Sequence, residues 1–446
     1  MSKTSICRSV ALLLALVLAD AGRAQAQSHP EFVPLTPAMA AFYKPDGGAP
    51  AHVGVVVMHR TANYTIHPAC TELSARGFAV LCMNSRFANN ESQVVWPRIA
   101  LDVKAGVEFL RRQSGISKVV LFGHSGGGPT MSFYQAVAEK GVAYCQDPAR
   151  IDKCGDELAS LPPADGIVFA DAHPGQPVMV LRGLNPAVAD ERDPPTTPNV
   201  PELDAFDVRN GFNPNGASHY SDEFRIRFFA GQSARLNRII DTAIKHRAEM
   251  RAGTFGYPDD DILLIPRGGN PGAGPAGLMY LNVLDPFIDS MNSTTRPERL
   301  LNNDGTISMG IVHSVVRADP TLKQSNNGFA TGTKVLTISS FLSANAVRSS
   351  NADDGIDHCS ANNSTVCAVR SISVPVIFAG MGAFLFIRDT EVEFDAAASK
   401  DKSIIYIAGA NHGFTPCTPC ETTPGQYGNS VRNLFDYAAA WMRERF

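Results

Sequence analysis

The chain has 446 residues, 44% of them hydrophobic and 18% charged, with a formal net charge of −4. That much apolar material can bury a large core, which excludes disordered and fibrous classes, and the excess of acid over base excludes an electrostatic nucleic-acid binder. The 37 Gly and 30 Pro point to many tight turns rather than a helical bundle.

The amino terminus reads as a targeting segment. Lys3 and Arg8 give a positive start, Val10 to Ala19 is an uninterrupted apolar run, and Ala24-Gln25-Ala26 supplies small residues for signal peptidase. The run is about half the length a bilayer-crossing helix needs. The expectation is a secretory signal over residues 1–26, no stable membrane anchor, and a secreted or periplasmic mature protein. Nine Cys are present, and Cys7 leaves with the signal. An even number then remains, so disulfides are expected. Cys145–Cys154 and Cys359–Cys367 would each close a small polar loop, and Cys417–Cys420 reads as a loop staple rather than a redox or zinc site. Cys70 and Cys82 fall in an expected helix and strand, where buried free thiols and a bridge are equal expectations.

From residue 53 strands and helices alternate. Val53–Met58 and Phe78–Met83 are short continuous apolar runs, the mark of strands buried on both faces. Pro68–Arg76 between them is a short helix ended by Gly77. Ala100–Arg112 is amphipathic, Lys118–Phe122 is a third strand, Pro129–Lys140 a helix and Gly166–Ala170 a fourth strand. This rhythm predicts an α/β protein with a mainly parallel sheet flanked by helices. It stops near residue 183 and returns at Val374–Phe378. A helix over Glu391–Ala398, a strand over Ser403–Ile407 and a closing helix over Ser430–Arg443 follow. Between lies a stretch rich in Pro, Gly, Asn and Asp, with one clear helix over Ser233–Arg251 and a short apolar run over Ile262–Ile265. A loop of that length would be anomalous, so the insertion should form a cap. The expected organisation is a core over 27–182, a cap over 183–370 and the rest of the core over 371–446. Pro194–Pro201 reads as a surface loop.

One motif carries chemistry. The strand Val119–Phe122 runs into Gly123-His124-Ser125-Gly126-Gly127, and a helix follows. Gly-x-Ser-x-Gly between strand and helix puts the serine on a sharp turn with its hydroxyl above the sheet. Gly two residues either side allows strand and helix to approach, and the helix N-terminus favours developing negative charge. A phosphate loop would want Gly-Lys-Ser/Thr or Gly-x-Gly-x-x-Gly, and neither is present. Ser125 is therefore the candidate nucleophile, and it needs a base. His412 lies in Ala408-Gly409-Ala410-Asn411-His412-Gly413, a turn-forming stretch shortly after the last buried strand, and is the candidate. His59, His124 and His173 are weaker candidates.

On these residues the chain resembles the α/β-hydrolase superfamily of serine esterases and lipases, over about residues 50–182 and 371–446. In that family the strand resembling Val53–Met58 usually ends in His-Gly-x; here it reads His59-Arg60-Thr61, with Arg in place of Gly. The resemblance implies Gly126 N–H and Thr61 N–H as oxyanion donors. The family's acid most often follows the strand resembling Val374–Phe378, near Ala383, where no acid stands; Asp389 and Glu391 come next and open a helix. Other members carry the acid after the preceding strand, where Asp171 follows Ala170 directly. Asp171 is favoured, with Glu391 and Asp389 as alternatives.

The implied activity is carboxylic ester hydrolysis through an acyl-enzyme on Ser125, His412 and Asp171, acting on a small-molecule or polymeric ester with no metal or organic cofactor. An amidase, peptidase or C–C bond hydrolase could use the same triad, and a non-catalytic binding module would need neither Ser125 nor His412. Asp259-Asp260-Asp261 lacks the spacing of a calcium loop. Phe287, Met291, Phe329 and Phe341 could line a cap pocket, or could form the cap's own core.

Overall fold

The computed structural model describes residues 29–45, 50–192, 200–254, 260–266, 281–285, 287–288, 292–316 and 333–446. The expected signal segment, Asp259, Met291, Phe329 and most of Pro194–Pro201 lie outside the described residues.

The chain opens with a hairpin of β1 (Glu31–Leu35) and β2 (Ala38–Tyr43), then runs β3 (Val53–His59), α1 (Pro68–Ser74), β4 (Ala79–Asn84), α2 (Trp96–Arg111), β5 (Lys118–His124), α3 (Gly127–Lys140), β6 (Gly166–Ala170) and α4 (Gln176–Gly183). The long helix α5 (Asp222–Arg251) is followed by β7 (Ile262–Pro266), β8 (Glu298–Leu301), β9 (Ile307–Gly310) and β10 (Thr333–Thr337). β11 (Val376–Met381), α6 (Ile387–Ala396), β12 (Lys402–Ile407) and α7 (Ser430–Arg445) complete it.

Among the described residues ten strands form one sheet in the order β1-β2-β4-β3-β5-β6-β11-β12-β8-β9. The six pairings from β4 through β12 to β8 are parallel, while the β1–β2, β2–β4 and β8–β9 pairings are antiparallel. Every residue of β3, β4 and β6 is buried, which is why those segments read as unbroken apolar runs. One core lies on each face. Helices α2 and α3 supply Trp96, Val103, Val107, Met131 and Phe133 to one, and α1 and α7 supply Leu73, Leu434, Phe435 and Trp441 to the other.

The stretch expected to be wholly a cap does two things. α5 packs Phe224, Phe228, Leu236 and Ile240 against Leu336 and Phe341 in a separate apolar cluster, which also takes Val180 and Leu181 from α4. Phe341 belongs to that cluster's core, whereas Phe287 is 72% exposed. But β8 pairs in parallel with β12, Leu300 opposite Tyr406 and Leu301 opposite Ile407, and β9 then closes that edge. Part of the insertion is therefore sheet. Asp260 accepts from Ser339 N–H at 2.9 Å and Asp261 from Ile262 N–H at 2.8 Å, so both order the β7–β10 ribbon.

All eight described cysteines are bridged: Cys70–Cys82, Cys145–Cys154, Cys359–Cys367 and Cys417–Cys420. The first ties α1 to β4 across a Cα–Cα distance of 6.1 Å, so the pair is a bridge rather than two thiols. Among the described residues no helix is long and apolar enough to cross a membrane.

Candidate active site

The chain leaves β3 for β4 on one side and returns to β5 on the other, which opens a crevice at the carboxyl edge of the sheet. Ser125 stands there, between the last residue of β5 and the first turn of α3, with φ of 55°. Such a backbone angle is costly for a non-glycine residue. The bend is so tight that a Cβ on Gly123 would meet Gly127 O at 2.8 Å, and one on Gly127 would meet Met58 O at 2.7 Å. Asp171 follows β6 directly, also at positive φ (44°), with its N–H on Ala379 O at 2.7 Å. His412 follows β12. Its Nε2 is 2.9 Å from Ser125 Oγ and its Nδ1 is 2.5 Å from Asp171 Oδ2. The core has the α/β-hydrolase fold. The strand order and the strand–serine–helix elbow at the sheet's carboxyl edge decide it.

Three residues from three strand ends thus meet at one edge of the hydrolase sheet. Burial pushes the Asp171 carboxyl well above its ordinary range; the Met381 N–H on Oδ1 opposes this and the nearby Asp389 charge adds to it. Burial pushes the His412 imidazole down to about 4, so the ring is neutral at neutral pH. Asp171 occupies the Nδ1 side, which leaves Nε2 to accept the Ser125 O–H. The ring cannot swing easily: Phe384 stacks on it with centroids 4.3 Å apart, and Phe386 meets it edge-on at 5.6 Å. Met179 and Leu385 pack with those phenylalanines, so one flank of the site is apolar.

The alternative acids are elsewhere employed. Glu391 is fully buried and accepts from Thr295 N–H (3.0 Å), Thr295 Oγ1 (2.9 Å) and the Arg388 guanidinium. Asp389 takes both bonds of a buried pair with Arg182, at 2.9 and 3.1 Å. Both hold α6 in place. The oxyanion assignment needs one correction. Thr61 N–H donates to His59 Nδ1 at 3.0 Å, and Ala62 N–H donates to the same nitrogen at 2.8 Å. Thr61 N–H is therefore not free for substrate. Gly126 N–H, at the N-cap of α3, has no hydrogen-bond partner among the described residues.

Residues outside the expected site form a relay beneath Ser125. His67 Nδ1 accepts from Ala69 N–H, so its Nε2 carries the proton and donates to His124 Nδ1 at 2.9 Å. His124 Nε2 then donates to the backbone carbonyl of His412 at 2.8 Å. Tyr64 stacks on His67 and donates to His124 O at 3.1 Å. Burial, aided by the His412 ring nearby, holds His67 and His124 well below the ordinary histidine pKa. The variable position of Gly-x-Ser-x-Gly thus pins the loop that carries His412. Cys417–Cys420 staples that loop from the other side, where Cys417 N–H donates to Gly409 O at 2.8 Å. Periodicity could not reveal these contacts; the one signal for them is the place of His124, at the end of β5 beside Ser125. Among the described residues no group of three or more His, Cys, Asp or Glu is arranged to hold a metal ion.

Neither a protein-family model nor a curated protein sequence matches the chain. Solved structures do. A hypothetical protein from Pseudomonas aeruginosa is 14% identical with a TM-score of 0.45, covering 94% of this chain and 95% of that one. Est1E from Butyrivibrio proteoclasticus is 8% identical with a TM-score of 0.38, over 94% and 99%. Brefeldin A esterase, described as a bacterial homologue of human hormone sensitive lipase, is 12% identical with a TM-score of 0.40, over 96% and 80%.

Proposed function

We propose that the chain is an exported serine hydrolase that cleaves carboxylic esters. The observation that carries this reading is the continuous line from Ser125 Oγ through His412 to Asp171, at 2.9 and 2.5 Å. In that reading Ser125 Oγ bonds to the ester carbonyl carbon as His412 Nε2 takes its proton. Asp171 holds the Nδ1–H tautomer and stabilises the imidazolium. Gly126 N–H receives the oxyanion, assisted by the N-terminal end of α3. The C–O bond to the alcohol breaks and His412 returns the proton to it. A water, deprotonated by the same imidazole, then releases the acid and restores Ser125.

The apolar flank of Met179, Phe384, Leu385 and Phe386 suits a hydrophobic acyl or alcohol group beside the reacting carbon. In this reading the insertion over 183–370, set into a core of 27–182 and 371–446, acts outside its sheet strands β8 and β9 as a cap that selects the substrate. Four disulfides support export through a cleaved signal over 1–26 into an oxidising space.

The test is labelling by a fluorophosphonate, followed by a panel of p-nitrophenyl esters of graded length run beside anilides. Labelling at Ser125, its loss in Ser125→Ala and turnover of esters over anilides are expected. Faster anilide turnover would make the enzyme an amidase, and absence of labelling in the wild type would refute catalysis by Ser125.

A further inference from the structure

The last residue of β3 places a ring nitrogen beside the residue that follows Ser125, with no hydrogen-bond partner among the described residues. His59 is 6% exposed. Its Nδ1 accepts two backbone N–H groups, from Thr61 and Ala62. A nitrogen that accepts carries no hydrogen, so the ring proton sits on Nε2. Burial first, and then the charge of Arg60 and the surrounding imidazoles, holds this ring well below the ordinary histidine pKa, so it stays a neutral Nε2–H donor. Among the described residues no acceptor faces that hydrogen.

Where the ring points is shown by Gly126. A Cβ built on this glycine would lie 2.5 Å from His59 Nε2 and 2.4 Å from Arg60 Nη1. Both nitrogens therefore occupy the side of Gly126 where a side chain would stand. The Arg60 guanidinium is fixed there: Glu91 Oε1 accepts from its Nε at 3.0 Å and its Nη2 at 2.8 Å, Gln176 Oε1 accepts from Nη2 at 2.7 Å, and Nη1 lies 3.2 Å from His173 Nε2. The Gly126 N–H, the His59 Nε2–H and the Arg60 Nη1 hydrogens thus all belong to groups beside the elbow. An oxyanion hole is a set of fixed donors aimed at the place where charge develops.

We propose that the Nε2–H of His59 is the second oxyanion donor, acting with Gly126 N–H and backed by Arg60, in the role that Thr61 N–H cannot fill. The proposal rests on Ser125 being the acylated nucleophile. It also gives a reason for glycine at position 126, since any side chain there would displace both donors.

Two substitutions separate the ring's jobs. His59→Asn keeps an acceptor for the Thr61 and Ala62 N–H groups but has no donor at the Nε2 position. His59→Gln places an amide N–H near that position. In His59→Asn we expect kcat to fall by about 10²–10³ with KM nearly unchanged. Affinity for a trifluoromethyl ketone, whose adduct with Ser125 carries the oxyanion, should fall with it, and the melting temperature should hold. His59→Gln should regain at least tenfold over His59→Asn. A folded His59→Asn with kcat within about threefold of wild type would overturn the proposal. So would a fall in kcat with ketone affinity unchanged. A wild type that neither labels with fluorophosphonate nor turns over esters would instead refute the reading of Ser125, and the two failures are thereby told apart.

Discussion

Replacing Asp171 by Asn changes one atom at the point where the triad is most buried. Oδ1 can still accept the Met381 N–H, which reaches it at 3.3 Å. The other atom becomes an NH₂ group facing His412 Nδ1 across a contact of 2.5 Å. Two N–H groups cannot face each other there, so the ring moves its proton to Nε2 and can no longer accept the Ser125 hydrogen. The loss is therefore that of a wrong tautomer rather than of one hydrogen bond, about 10⁴ in kcat, or about 5.5 kcal/mol at about 1.36 kcal/mol per tenfold. Stability should not follow it down. Asn is isosteric with the carboxyl, and burial already disfavours the charged form of Asp171. Melting should shift by less than about 4 °C. The assay is steady-state hydrolysis of a p-nitrophenyl ester with a thermal melt of the same sample. Glu391→Gln is the control: it weakens the ties to Thr295 and Arg388 and should lower the melting temperature with kcat per folded molecule unchanged. A folded Asp171→Asn within about tenfold of wild-type kcat would refute the assignment, since a lost hydrogen bond alone costs about that much.

Burial pushes His412 down to about 4, so the neutral base survives to lower pH than an ordinary histidine allows. The acid limb of kcat/KM, which belongs to the Asp171–His412 pair, should lie near pH 4 rather than near the usual value of about 6.5; a limb at or above the usual value contradicts this. Removing Cys70–Cys82, which closes a loop with a sequence separation of 12, should cost about 3 kcal/mol. It should be read as a lower urea midpoint in the double Cys→Ala variant, and an unmoved midpoint would be evidence against that account. His124→Leu removes the bond from Nε2 to the His412 carbonyl and should lower kcat per folded molecule about tenfold, while the orphaned His67 Nε2–H should lower the melting temperature as well. Unchanged kcat would show that the His412 loop holds itself.

Much of the site is visible in the sequence because each part sits at the end of a buried strand. β5, β6 and β12 are apolar runs, and Ser125, Asp171 and His412 follow them closely. The elbow is local, so its glycines announce it. Thr61 went wrong for the opposite reason: whether a backbone N–H is free depends on where a side chain folds back, and nothing in His59-Arg60-Thr61 tells that the ring turns onto its own loop. β8 and β9 are hard to read because each is four residues long, β8 meeting β12 only at Leu300 and Leu301 and β9 lying at the edge. The β1–β2 hairpin is legible in hindsight, since Ala38, Ala40 and Phe42 are buried while Met39 is exposed and Ala41 is only partly buried, a period of two. Clear periodicity survives where one side faces solvent; it fades where segments are short or packed on both sides.

The attachment of β8 to β12 bears on how such a chain could change over time. Were residues 183–370 exchanged for a short linker, Tyr406 and Ile407 would lose their Leu300 and Leu301 neighbours, and an open apolar margin would invite another molecule to zip onto it. Changes between 183 and 370 that keep this edge closed are therefore those outside 298–310, with Thr295 kept as the tether to Glu391.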